Sequence, residues 1–206
     1  VSLLSAQTIG NLLVDSNARI SLLNPGAGLT VTGNATIHSG GRITADGFGY
    51  PRNAGPGAGR YYSSYSYTAG GGGHGGFGAA GGNPMAFGGS PYGSAAVPLT
   101  PGSGGGCYPP LGAGGAGGGV LRLSVGGMLL LNGRISSDGE AGLSEGCGGG
   151  AGGGIALTVG TLAGSGTISA NGGMGNGTGL LGSGGGGGGR IAIEHGANLF
   201  FGTITC

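Results

Sequence analysis

Three cysteines (Cys107, Cys147, Cys206), three histidines (His38, His74, His195) and a recurring arginine–aspartate pattern are where this 206-residue chain could carry chemistry. A cysteine nucleophile needs a nearby cation to hold it as thiolate, and no basic residue lies close in sequence to Cys107 or Cys147. Both sit in matching glycine runs, Gly102–Gly119 and Gly146–Gly154. The expected chemistry is an internal Cys107–Cys147 disulfide in an oxidising compartment, which leaves Cys206 for a bridge to an adjacent molecule or to a further segment of the same polypeptide. The histidines are isolated from one another, so no metal site is expected. Arg42, Arg134 and Arg190 each precede an isoleucine, and Asp46 and Asp138 follow the first two by four residues. Two such aspartates could serve as an acid–base pair, but repeated turns also repeat their residues, and that is the reading adopted. No catalytic residue, cofactor or metal ligand is therefore expected. A phosphate loop is excluded because the chain has no lysine, and G-x-G-x-x-G matches arise by chance at this glycine content.

The elements that must position these residues emerge once the glycine is set aside. A short apolar strand, a turn and a second strand ending in Ile-x-Ala/Ser-Asp/Asn-Gly recur. The copies run through Leu29–Gly33 and Gly41–Gly47, Val120–Gly126 and Gly133–Gly139, and Ile155–Gly160 and Gly166–Gly172. A further copy runs from Arg190 to Cys206. Val120, Ile155 and Ile191 lie 35 and 36 residues apart, and Ile135, Ile168 and Ile204 lie 33 and 36 apart. A near-constant period of this size predicts a solenoid. Leu121, Leu123 and Val125 alternate with Arg122 and Ser124, the period of strands. Asn11–Val14 and Arg19–Leu23 are expected to add an N-terminal rung. Asp46-Gly47, Asp138-Gly139 and Asn171-Gly172 are expected to form tight turns with positive φ at glycine.

The chain holds 62 glycines but only 6% charged residues, and none of the latter between Tyr61 and Leu121. Disordered chains are highly charged and weakly hydrophobic, whereas here the mean hydropathy is +0.22. The glycine tracts are therefore expected to be ordered and extended, as polyproline II segments packed by Cα–H···O contacts. Residues 48–119 hold every tyrosine and every proline but Pro25, and read as an insertion forming a lateral contact arm within a single 1–206 domain. A net charge of +1 favours self-association and offers no basic patch for nucleic acid. No apolar run approaches a membrane span. Asn34-Ala-Thr36 and Asn176-Gly-Thr178 are glycosylation sequons, suggesting secretion, although such triplets also arise by chance in this composition.

The strings Gly149–Ile155, Thr167–Gly172 and Gly184–Ile193 resemble the Gly-rich repeats of very large secreted adhesin-like or fibre-forming β-solenoid proteins. The resemblance covers Leu29–Gly47 and Val120–Ile204. It implies an extracellular or cell-surface structural role and transfers no catalytic residue. The expectation is an all-β solenoid, resembling a parallel β-helix with almost no helix, that polymerises with itself into a filament, hair or sheath. A binding module for glycans or ice is the alternative: Thr30 and Thr32 form a Thr-x-Thr step, though Arg122/Ser124 and Ala156/Thr158 stand there in later copies.

Overall fold

A computed structural model describes residues 1–63, 67–109 and 112–206. Residues 64–66 and 110–111 of the 48–119 insertion, Tyr65 among them, lie outside the described residues. The fold is all-β, with a 3-10 turn at Gly179–Leu181 and almost no other helical content among the described residues. The strands are β1 (Ser2–Leu3), β2 (Gln7–Ile9), β3 (Leu12–Val14), β4 (Arg19–Leu22), β5 (Leu29–Val31), β6 (Ala35–Ile37), β7 (Arg42–Thr44), β8 (Tyr61–Tyr62), β9 (Thr68–Ala69), β10 (Val120–Leu131), β11 (Arg134–Ser136), β12 (Gly154–Gly164), β13 (Thr167–Ser169), β14 (Arg190–Phe200) and β15 (Thr203–Thr205).

Each copy of the repeat contributes to both of two parallel sheets, the first copy through β5 and β6 in one and β7 in the other. The first sheet runs β1-β4-β7-β11-β13-β15 and the second β14-β12-β10-β5-β2, with β3 and β6 continuing the second beside β10. Register is strict: Ile20, Ile43, Ile135, Ile168 and Ile204 form one column across the first sheet. In the second, Leu29, Leu123, Leu157 and Ile193 form another. Alternation puts these residues on the inner faces, where Ile43, Leu121, Leu123, Ile135, Ile155 and Ile168 are fully buried. Each such side chain contributes about 1.5–3 kcal/mol by leaving water. β-branched and leucine residues at period two give strands with one buried face, and here strands of successive copies pair in parallel with both sheets packed on one core. A register shift between Val125 and Met128 lets Gly126-Gly127 bulge from β10 opposite β12.

The glycine tracts make a second layer held by backbone hydrogen bonds that recur every three residues. Gly149 N donates to Gly184 O and Gly152 N to Gly187 O; Gly184 N donates to Ala69 O and Gly187 N to Gly72 O. Other pairs run oppositely, such as Gly102 N to Gly118 O with Gly105 N to Gly115 O. The 48–119 segment is thus bonded into the tracts that follow β11 and β13. At Gly71 and Gly89 an added Cβ would overlap the carbonyl oxygens of Gly185 and Gly57, so neighbouring backbones pass closer than any side chain permits. The antiparallel pair β8–β9 lies within this segment.

Candidate functional site

The repeated residues gather at the end of the first sheet's strands, where they build a ladder from copy to copy. Asp46 Oδ1 accepts from Asp138 N–H at 2.7 Å, and Asp138 Oδ1 accepts from Asn171 N–H at 2.7 Å. Their second oxygens accept from Ser136 Oγ at 2.9 Å and from Ser169 Oγ at 3.1 Å. Gly47 N–H donates to Asp138 O, and Gly139 N–H to Asn171 O. Asp46-Gly47 makes a turn with Gly47 at φ 70°, whereas Gly139 and Gly172 are not at positive φ and their segments do not turn. The expectation of three tight turns is corrected accordingly. The carboxylates of Asp46 and Asp138 bond to the backbone of the neighbouring copy, which leads the chain straight into the glycine tracts. Both carboxylates are engaged with backbone and serine donors, an arrangement that fixes backbone.

Arg42 and Arg134 are in register, and Arg19 extends their column; Thr167 and Thr203 continue it. Arg134 ion-pairs with Asp138 and donates to Ser169 Oγ at 3.2 Å. Arg19 escaped sequence reasoning because it follows a 23-residue offset to Arg42 rather than the later period of 33–36. Arg190 stands elsewhere: it opens β14 in the second sheet, and its guanidinium donates to Tyr92 O at 2.9 Å and His74 O at 3.5 Å.

The three histidines stay apart. His74 is fully buried; its Nδ1 lies 2.9 Å from Gly152 O and its Nε2 2.9 Å from Thr100 Oγ1. Because a carbonyl can only accept, Nδ1 carries the proton and Nε2 accepts from the threonine hydroxyl. Burial pushes the His74 pKa below its usual value, and the Arg190 charge adds to that. His38 pairs with Asp15 at 3.0 Å, and that hydrogen bond lowers the exposed Asp15 carboxyl. His195 is exposed on β14. No group of three His, Cys, Asp or Glu side chains that could hold a metal ion occurs among the described residues. Tyr92, whose hydroxyl donates to Pro101 O and accepts from Ser103 Oγ, is pushed up to about 12 by burial.

Cys107 and Cys147 form a disulfide, which ties the insertion to the tract after β11. Cys206 is free, and it directly follows β15, one position beyond Thr205, whose partner is Ser169. It therefore stands at the level of the fully buried Ala170 rather than clear of the repeat. Asn34 is exposed and uses its Oδ1 on Met128 N–H, whereas the Asn176 Nδ2 donates to Gly142 O at 3.1 Å. Thr30 forms a hydroxyl column with Thr8, Ser124 and Thr158. Beside Thr32 the next strand carries Gly126, whose missing side chain faces the Thr32 carbonyl.

Sequence reasoning missed one string, Gly142-Leu143-Ser144-Glu145-Gly146, which has the spacing of a nucleophile elbow. No strand leads directly into it and no helix starts directly after it among the described residues, and the Ser144 carbonyl accepts from Cys147 N–H in a local turn. A cleft of about 450 Å³ is lined by Asn53, Arg60, Tyr61 and small residues, with no carboxylate or imidazole. No helix of the described residues is long and apolar enough to cross a membrane. Comparison with protein-family models, with curated proteins and with solved structures finds no match to this chain.

Proposed function

We propose that this chain is a structural protomer of an extracellular filament, hair or sheath, a β-solenoid that polymerises by stacking its ends. In this reading each copy is one coil, and the glycine tracts are polyproline II segments. Their three-residue hydrogen-bond step supports that reading, because polyproline II has three residues per turn. The Cys107–Cys147 disulfide supports an oxidising compartment.

The observation that carries the proposal is that core columns run out into solvent at both ends. Ile168 is 0% exposed, whereas its column neighbour Ile204 is 50% exposed. Ile155 and Leu157 are buried, and their neighbours Ile191 and Ile193 on the last strand only partly. At the opposite end Val1, Leu3, Ile9, Leu12 and Ile20 line an apolar groove of about 230 Å³. Strands β14 and β15 at one end and β1 and β2 at the other present unpaired backbone edges. A head-to-tail joint covers unlike surfaces and therefore propagates into an open filament. The second sheet is five strands deep along its path and the first is six, so each protomer adds roughly 24–29 Å along the axis.

Sedimentation of wild type against an Ile193→Lys/Ile204→Lys variant tests the joint. The wild type is expected to form large species, and the charged end to leave monomers. Equal assembly by both would reject end stacking. A second reading, a module binding glycans, draws on the arginine column.

A further inference from the structure

We infer that the outer face of the first sheet binds a linear acidic polysaccharide along the column Arg19–Arg42–Arg134. The starting point is electrostatic. Three guanidinium-bearing residues stand at the same register on adjacent parallel strands, and adjacent strands are separated by about 4.8 Å. Like charges opposite one another weaken a sheet, so packing gives no reason for the column. All three residues are exposed. Of the carboxylates nearby, Asp138 pairs with Arg134 within the column itself, whereas Asp46 holds Ser136 and the Asp138 amide and Asp15 pairs with His38, so Arg19 and Arg42 are the rungs that offer an unpaired charge. Among the described residues no carboxylate lies within ion-pair distance of Arg19 or Arg42, and neither side chain makes a hydrogen bond.

Between two rungs of the column lies a recess of about 240 Å³, lined by Gly40, Gly41, Arg42, Asn132, Gly133 and Arg134. Gly41 and Gly133 leave its floor as bare backbone, since a Cβ on Gly133 would overlap the Gly41 carbonyl oxygen. A carboxylate or sulfate placed there meets a guanidinium from one rung and faces that of the next, the planar geometry arginine favours for such groups. The ligand must present negative charge repeatedly along a line, because the column repeats strand by strand. Sugar hydroxyls flanking each acidic group find Thr167 and Thr203 farther along the same column, and the Asn132 side chain in the recess. Nucleic acid fits poorly. It calls for a broad basic surface or aromatic stacking platforms, and this face offers neither. A membrane surface calls for larger basic clusters.

The inference does not rest on polymerisation; it uses only the registers within one chain. The test measures binding of the full chain to polygalacturonate and to dextran sulfate. Hydroxyethyl cellulose and duplex DNA serve as neutral and polyanionic references. Arg19→Gln/Arg42→Gln is compared with Arg60→Gln/Arg122→Gln, which removes the same charge from other places, and circular dichroism checks that both are folded. The expected result is binding to the acidic polysaccharides that weakens with salt, lost about tenfold or more in Arg19→Gln/Arg42→Gln and changed less than about twofold in the control. Preference for polygalacturonate identifies the acidic group as carboxylate, and preference for dextran sulfate identifies it as sulfate. Absence of binding to either, an equal loss in both variants, or DNA bound as tightly as the polysaccharides would overturn the inference.

Discussion

Gly89 and Gly10 are chemically identical, yet the fold treats them oppositely. A Cβ on Gly89 overlaps the Gly57 carbonyl oxygen, whereas one on Gly10 meets nothing within 4 Å. Gly89→Ala is therefore expected to lower stability by about 1–3 kcal/mol, the usual cost of overpacking. Gly10→Ala should stay within about 0.5 kcal/mol, as surface substitutions do. Chemical denaturation of the two variants measures the difference; equal effects would mean that the tracts are not packed backbone to backbone. His74 makes a second claim at this scale. Its pKa is depressed in the fold from the usual 6.5, so the unfolded chain binds a proton that the folded chain resists. As pH falls below 6.5, the unfolded state gains, and stability declines until the folded imidazole is itself protonated. The melting temperature of wild type should fall between pH 7.5 and pH 5, and His74→Gln should flatten that part of the profile. A wild-type profile that is flat over this range would contradict the assignment.

Among the elements, the strands were legible and the ladder was not. Alternation in Leu121–Val125 and the recurrence of Ile135, Ile168 and Ile204 fixed which residues face the core and which stack, and both follow from the two-residue period of a strand. The pairs Asp138-Gly139 and Asn171-Gly172 misled, because a dipeptide speaks only for local turn chemistry. Their conformation is set by bonds to residues 33 and 92 positions away. For the same reason the place of Arg19 beside Arg42 and Arg134 could not be read: it reaches Arg42 across a shorter copy, and only pairing reveals that they are neighbours. The ladder yields its own test. Asp138→Ala removes the acceptor of the Asn171 amide and the partner of Arg134, and is expected to cost about 1–3 kcal/mol. Asp138→Asn should recover most of that loss, since an amide oxygen can still accept from the Asn171 N–H. Thermal or urea unfolding of both variants checks the order, and an alanine variant as stable as wild type would show the ladder to be dispensable.

At the scale of the whole molecule, two layers stabilise each other by different physics. The strand columns bury isoleucine and leucine between two sheets, and the glycine layer satisfies its backbone groups with other tracts instead of water. Chain of such low charge has little repulsion to keep copies apart. The insertion is stitched into the glycine layer by backbone bonds and by the Cys107–Cys147 disulfide. Three of its tyrosines, Tyr61, Tyr67 and Tyr108, cluster with ring centroids 5.1 and 5.7 Å apart, and both Tyr61 and Tyr67 are exposed. Such a cluster offers lateral contact area at low entropic cost, in keeping with a role beside the end-to-end joint. Electron microscopy of the purified chain under native conditions, with the axial repeat read from the images, tests the proposed polymer most directly. Filaments with a protomer rise of roughly 24–29 Å are predicted from five to six stacked strands. A monodisperse monomer at every concentration, or filaments whose repeat falls well outside that range, would contradict it.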